Sequence, residues 1–399
     1  MKKLFLLFTV SVICLALSGI AFATNGVNLI GVGASSRAMG GAGVAAPQDS
    51  ISAIFNNPAA MGSLEVADEF NFAGTLFMPT VKANVKSPAP PFGVGNWSGK
   101  SQDQPYAIPA IGIMSPIDKD MRFGIAAYGV SGLGVDYRNI DPMGISTKLS
   151  VMKFTPAVSY KAGDFSVGLG MDIDYQALDL GMGQSHNYAV GARLGVLYSM
   201  NIISVGATYV TPQSVSHKRV FDFDNNGKMD NLKLEAPQQA AIGFAVKPMP
   251  GLLAEVDVKW IDWAGAKGYK DFDWDSQWVY TLGLQYKPMP NLALRAGYNY
   301  AKNPVKEHNG FNAGGTSSIQ GTNTPTFAYE YFRMIGFPAI VEQHITLGLG
   351  YDLSKKVGVS LGYKYALNKT MSEKDSSGGV TLESQLKEQA LDFALLFRF

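Results

Sequence analysis

Nothing constrains this chain more than the way apolar residues alternate with small or charged ones, segment after segment. The C-terminal end reads Leu391-x-Phe393-x-Leu395-x-Phe397-x-Phe399. Val167, Leu169, Met171, Ile173 and Tyr175 repeat the pattern, and so do Tyr188, Val190, Ala192, Leu194, Val196 and Tyr198. A period of two places each stripe on one face of a β-strand. A soluble sandwich with this alternation would carry charge on its exposed faces and use shorter strands. Only 16% of the residues here are charged, where an ordinary soluble chain has about 25%. Beyond residue 23 no apolar run is long enough to cross a bilayer as a helix. A closed barrel is then the structure that can present so apolar a surface to lipid.

Residues 1–23 have the parts of a secretory signal peptide. Lys2 and Lys3 precede an apolar run from Leu4 to Ile20, and Ala21-Phe22-Ala23 supplies the cleavage site. Cleavage removes the sole cysteine, Cys14, so the mature chain has no disulfide and no cysteine-ligated metal. It also takes two of the 33 basic residues, which face 32 acidic ones. A balance so near neutral gives no reason to expect nucleic acid as a partner.

Fourteen segments carry the alternation, an even number as outer-membrane barrels prefer. The first runs from Phe70 to about Lys86, and the second contains Ile111 and Ile113. Phe123, Ile125 and Ala127 mark the third, and Met152, Phe154, Val158 and Tyr160 the fourth. After the two already quoted come segments at about 202–220, 232–247, 252–264, 276–287, 291–303, 342–353, 356–369 and 388–399. Short turns at Asp118-Lys119-Asp120, 161–164, 247–250, 287–290 and 354–356 alternate with longer loops at about 87–104, 221–231, 304–341 and 370–387. Short periplasmic turns and long extracellular loops are the barrel pattern. The terminal Phe399 closing an alternating strand suits recognition by the outer-membrane assembly machinery.

The stretch from Asn25 to Leu64 is of another kind. Gly31, Gly33, Gly40, Gly41 and Gly43 leave it too little side chain for a core of its own. It is expected to pack inside the barrel as a plug over residues 24–67, with the barrel itself over 68–399. Opposite the apolar stripes fall Arg122, Lys153, Asp172, Asp174, Arg193, Glu255, Asp257, Lys259, Arg295, Lys364, Asp392 and Arg398. Charges of both signs inside a lumen can pair and hold a plug. Alternatively, Arg122, Arg193, Arg295 or Lys364 meets a ligand carboxylate, for which a basic side chain is suited. Inward glycines such as Gly195, Gly297 and Gly350 leave room for plug or ligand at the wall.

Other motifs are weaker. Gly358-x-Ser360-x-Gly362 matches a hydrolase nucleophile turn, but Val357, Val359, Leu361 and Tyr363 alternate straight through it, where that chemistry needs a sharp strand-to-helix turn. An enzyme is not expected, and no cofactor. Asp222-x-Asp224-x-Asn226-Gly227-x-x-Asp230 reproduces the first half of a calcium loop, with Lys233 where the bidentate glutamate belongs. Calcium in an extracellular loop competes there with a plain polar hairpin tip.

The plug sequence, Gly31-x-Gly33 followed by Arg37-Ala-Met-Gly-Gly-Ala-Gly-Val-Ala45, Asp49 and Asn57-Pro58-Ala59, resembles the FadL/TodX family of outer-membrane channels. Trp260-Ile-Asp-Trp263 and Arg295-Ala-Gly-Tyr-Asn-Tyr300 resemble that family's later strands. The resemblance implies an all-β, 14-stranded antiparallel transmembrane β-barrel, monomeric, with an N-terminal hatch. Such a channel carries hydrophobic small molecules passively, and the cargo expected of this chain is long-chain fatty acids, with aromatic hydrocarbons as the alternative. A non-transporting structural or adhesion barrel is the competing class. The resemblance puts the gating hatch at Asn57, Pro58 and Ala59. It puts a third-strand kink, through which ligand would pass sideways into the bilayer, at Gly129, Gly132 and Gly134. The 181–187 loop is short for an extracellular capture domain, which shifts that role to 87–104 and 304–341.

Overall fold

The computed structural model describes residues 25–64, 68–90, 93–102 and 105–399. The expected signal peptide lies outside the described residues, as does the end of the expected plug at 65–67. Fourteen antiparallel strands close on themselves. The first seven are β1 (Glu69–Lys86), β2 (Tyr106–Pro116), β3 (Met121–Asp136), β4 (Ser146–Ala162), β5 (Phe165–Asp179), β6 (Gln184–Met200) and β7 (Ile203–Val210). The second seven are β8 (Gln239–Met249), β9 (Leu252–Ile261), β10 (Gln277–Met289), β11 (Leu292–Ala301), β12 (Gln343–Asp352), β13 (Val357–Lys374) and β14 (Thr381–Arg398). Each pairs with its neighbours in sequence, and β14 pairs with β1 in one unbroken register from Glu69↔Arg398 to Lys86↔Thr381. Closure removes the exposed edges that an open sheet would present to lipid.

The outer face is apolar. Val167, Leu169 and Met171 on β5, Val190, Leu194 and Val196 on β6, and Leu391, Phe393 and Leu395 on β14 are all exposed. Aromatic residues flank this band on both sides. Tyr160, Phe165, Tyr198, Tyr286 and Tyr351 lie toward the short-turn end, and Tyr188, Trp278, Tyr280 and Tyr300 toward the long-loop end. Such girdles mark the two membrane–water interfaces.

Two expected strands are each divided in the structure. The run at 202–220 is β7 plus a separate strand Gln213–Phe221, and 232–247 is a strand Asp230–Ala236 plus β8. Gln213–Phe221 and Asp230–Ala236 pair with each other as a hairpin outside the wall. The breaks fall at Thr211-Pro212 and Pro237-Gln238, because proline has no N–H to give to a ladder. The expected loop at 370–387 is mostly wall, since β13 runs to Lys374 and β14 starts at Thr381. There the pattern inverts. Leu382 and Leu386 point inward and are buried, while Glu383, Gln385 and Lys387 take the outward positions. Above the membrane the outside of the wall meets water and the inside is apolar.

Residues 25–64 fill the membrane half of the lumen, nearly all of them buried. They contain two short helices, α1 (Ala34–Ala38) and α2 (Ser50–Asn56), followed by a 3₁₀ turn at Pro58–Ser63. Asp49 caps α2 by accepting from the N–H of Ser52 at 2.8 Å, and the Ser52 hydroxyl accepts from the Asp49 N–H at 3.1 Å, a reciprocal cap. The wall is shaved to receive this segment. A Cβ on Gly297 would lie 2.1 Å from the Gly40 nitrogen, and one on Gly168 would lie 2.2 Å from the Ala59 nitrogen.

Candidate functional site

The inner segment is held by its own backbone groups. Glu255 on β9 accepts from the N–H groups of Ala45 and Ala46 at 2.7 and 3.0 Å. Asp257, two residues on, accepts from Gly43 and Val44 at 3.0 and 3.2 Å. Side chains of one strand thus satisfy four successive donors of a segment too tightly wound to satisfy them itself. Arg37 reaches Asp392 on β14 and Thr75 on β1, and it also donates to its own Gly31 carbonyl at 2.9 Å. Asn57 is fully buried. Its Nδ2 donates to the carbonyls of Val44 at 2.8 Å and Val196 at 3.0 Å, and its Oδ1 accepts from the Ala59 N–H at 3.1 Å. Pro58 opens the 3₁₀ turn, and Ala59 lies against Gly168. The Asn-Pro-Ala triplet therefore ties one part of the segment to another and both to β6.

A second contact involves β3. The strand is continuous from Met121 to Asp136, and it pairs with β4 along its length except for a bulge at Val130. Its other edge is different. Pairing with β2 stops at Tyr128↔Ala110, although β2 continues back to Tyr106. Gly129, Gly132 and Gly134 lie just beyond that stop. The freed edge is taken by the N-terminal segment instead. Leu29 N–H donates to the Val130 carbonyl at 2.8 Å, Gly132 N–H donates to the Val27 carbonyl at 3.0 Å, and Asn28 bridges Ser131. Leu29 packs on Phe77 and Ile108. Residues 27–29 thus stand where a neighbouring strand would otherwise be, and the break lies on one edge of the ladder only.

The extracellular half of the interior is aromatic. Trp263, Tyr269 and Trp274 stack edge-on, with ring centroids 4.5–5.3 Å apart. Phe272 packs on Phe332 and Tyr329, and Phe332 in turn on Phe221, Phe223 and Phe337. Between these rings and Leu149, Leu178, Leu232 and Leu234 is a cavity of about 30 Å³, small enough that an organic guest must part the side chains to enter. One cation, Arg333, borders it. Its guanidinium is wholly buried and is engaged by Glu330 at 2.7 Å and by Glu373. Glu330 also accepts from His308 Nδ1 at 2.8 Å, and the other ring nitrogen of His308 meets Asp273 at 3.1 Å. The hydrogen bond to Glu330 holds the His308 pKa above its ordinary value.

The four basic residues singled out in the sequence do not converge. Arg193 pairs with Asp172 at 2.9 Å, donates to the Phe55 carbonyl and lies 5.3 Å from the Phe55 ring. Asp172 also accepts from Thr155 at 2.8 Å and faces Lys153 at 3.3 Å. Lys364 pairs with Glu388 at 2.9 Å beside the Phe77 ring. Arg122 lies half-buried on β3, opposite Pro116 and Ser159. Arg295 donates to Gln285 at 2.8 Å, near the short-turn end. Ser360 continues a regular ladder opposite Gly350 and Ala394, with no turn to present it.

Asp222, Asp224 and Asp230 come together at the hairpin tip, with ligand atoms within 4.8 Å of one another. Those oxygens already serve the loop. Asp222 accepts from the N–H groups of Asn226 and Gly227 at 3.0 and 2.8 Å, and Asp230 accepts from Phe223 at 3.0 Å. The Asn226 side-chain oxygen accepts from Lys228 at 2.8 Å. The cluster fits a polar turn cap at least as well as a cation cradle.

Sequence reasoning did not find Arg333 or the aromatic cavity. The signal was the density of rings in two loops: Trp263, Tyr269, Phe272 and Trp274 in one, and Phe327, Tyr329, Tyr331, Phe332 and Phe337 in the other.

Comparison with known proteins gives a consistent picture. Residues 11–228 match the family described as outer membrane protein transport protein (OMPP1/FadL/TodX). No curated protein matches the sequence significantly. Among solved structures, a Pseudomonas aeruginosa FadL homologue superposes with a TM-score of 0.69 at 16% identity, covering 94% of this chain and 100% of that one. The P. putida toluene transporter TodX gives 0.65 at 19% identity, over 93% and 99% of the two chains. The Ralstonia pickettii toluene transporter TbuX gives 0.60 at 16% identity, over 93% and 99%.

Proposed function

Because this chain belongs to the OMPP1/FadL/TodX family of outer-membrane transport proteins, we propose that it is a passive channel for small uncharged hydrophobic molecules, entered from outside through the aromatic cavity. The observation that carries this reading is the composition of that cavity. Leucine and aromatic side chains line it, and its one cation is engaged by two carboxylates. A fatty acid would have to displace a buried ion pair to bind its headgroup there, at a cost of several kcal/mol. A hydrocarbon would only have to part apolar side chains.

Two features support gating by the hatch. The Asn57-Pro58-Ala59 tie links residue 44, the 3₁₀ turn and β6, so loosening it frees the segment at one place. Residues 27–29 complete the ladder where β3 has left β2. Their withdrawal would open the wall beside Gly129, Gly132 and Gly134, giving the solute a sideways route into the bilayer. In this reading the protein acts as a transporter and not as an enzyme.

The test is uptake of radiolabelled toluene and oleate by cells with and without the protein. Toluene entry above background, with less gain for oleate, is the expected result. Gain for oleate alone would favour the fatty-acid channel. No gain for either would leave the structural or adhesion barrel.

A further inference from the structure

We propose that the short-turn, periplasmic end of the lumen holds a binding site for a small oxyanion, a carboxylate or phosphate group, centred on Arg295. A cavity of about 70 Å³ lies there, lined from the wall by Lys287, Arg295, Ser360 and Arg398 and from the inner segment by Ser35 and Gln48. Arg295 is part-buried and differs from the buried lumen arginines. Arg37 and Arg193 each grip a carboxylate, whereas among the described residues Arg295 has no carboxylate oxygen within 4.0 Å. Its Nε donates to Gln285, but its Nη1 is buried with no acceptor. A buried charged donor left unpaired is costly and rare, and it points to an acceptor supplied from outside the chain.

The surroundings suit an anion. A Cβ on Gly350 would lie 2.7 Å from Arg295 Nη1 and 3.3 Å from the Ser360 hydroxyl, so the missing side chain leaves the open space between those two donors. Arg398 is engaged by Asp352 at 2.8 Å and faces Glu69 at 3.6 Å. Asp352, which also lines the cavity, and Asp49 of the inner segment are the acids nearest Arg295, and neither comes within 4.0 Å of its guanidinium, so the Arg295 Nη1 remains the unmatched donor. The guanidinium fork matches two oxygens of a carboxylate or phosphate, and the Ser360 hydroxyl lines the same cavity as a further donor, whereas the Gln48 amide nitrogen already donates to the Ala46 carbonyl at 2.7 Å. The volume is that of about two waters, which suits a headgroup and excludes a long chain. This site stands whatever the channel carries.

Since Ser35 and Gln48 move with the inner segment and the other residues with the wall, a bound anion bridges the two. Sodium phosphate and sodium acetate are each titrated, at constant ionic strength against sodium chloride, into the purified full-length barrel in non-ionic detergent. Amide exchange of residues 33–49 is the readout. At twice its dissociation constant the anion should slow exchange through opening about threefold, and Arg295→Gln should abolish the effect. Gly350→Leu, which fills the space, should abolish it too, so a misfolded Arg295 variant would not leave the question open. The anion that acts at the lower concentration identifies the group. Equal protection of wild type and both variants, or none by either anion in the wild type, overturns the proposal.

Discussion

The two halves of the barrel are built in opposite senses. In the membrane half the wall is apolar outside, and inside it presents Asp172, Arg193, Glu255, Asp257, Lys364 and Asp392 to the hatch. In the extracellular half the outward positions of β1 and β14 read Lys82, Lys86, Glu383 and Lys387, while Val81, Val85, Leu382 and Leu386 are buried inside. Solvent dictates the outside of each half, lipid below and water above. The inside of each half follows its own task. A polar plug needs partners for its backbone, whereas a hydrophobic guest needs rings and no stray charge. In the function proposed above, this contrast corresponds to binding of the guest above and control of its passage below.

The largest expected effect tests the lower half. Asp172 serves Lys153, Thr155 and Arg193 together, so Asp172→Ala leaves two cations buried without their partner. A loss of roughly 3–5 kcal/mol is expected in the urea unfolding of the assembled barrel. A loss under about 1 kcal/mol would mean that water already fills that lumen. The upper half is tested next. Phe272→Ala removes a ring that lines the cavity, and it should weaken toluene binding roughly tenfold by titration calorimetry. Arg295→Gln, at the other end, should leave toluene binding unchanged, and equal losses in both variants would erase the division of labour.

The smallest effect is on pH. Glu330 favours the charged form of His308 and raises its pKa, with Asp273 facing its other nitrogen and Lys306 and Arg333 nearby. A pKa raised in the folded state adds stability that is complete below the unfolded value, about 6.5, and fades as pH climbs through the folded one. Amide protection in residues 302–342 should therefore decline as pH rises from about 6 into the alkaline range. His308→Gln should be less protected at pH 6 and indifferent to the change.

The membrane half was legible in the sequence because one rule, apolar outward every second residue, holds there without exception of sign. The extracellular half was not. At 381–387 the same period of two continues with its phase reversed, so the run read as a polar loop. Pro212 and Pro237 were visible breakers, yet alternation resumed on both sides and bridged them. For the lumen charges, alternation says that Arg193 faces inward, but which carboxylate it meets depends on register with β5, where Gly170 is its direct partner and Asp172 lies two residues along. The β3 break had a local signal in its three glycines. That residues 27–29 take its free edge is a contact between segments about 100 residues apart, and no local pattern records it.

The most direct test of the account is to lock that contact. Asn28 and Ser131 face each other as an antiparallel bridge, at a spacing a disulfide can span. Asn28→Cys with Ser131→Cys should assemble as a barrel and, when oxidised, should take up little labelled toluene. A reductant should restore uptake to the wild-type rate. Uptake unchanged by the closed disulfide would show that residues 27–29 never leave β3 during transport, and would contradict hatch gating at that edge.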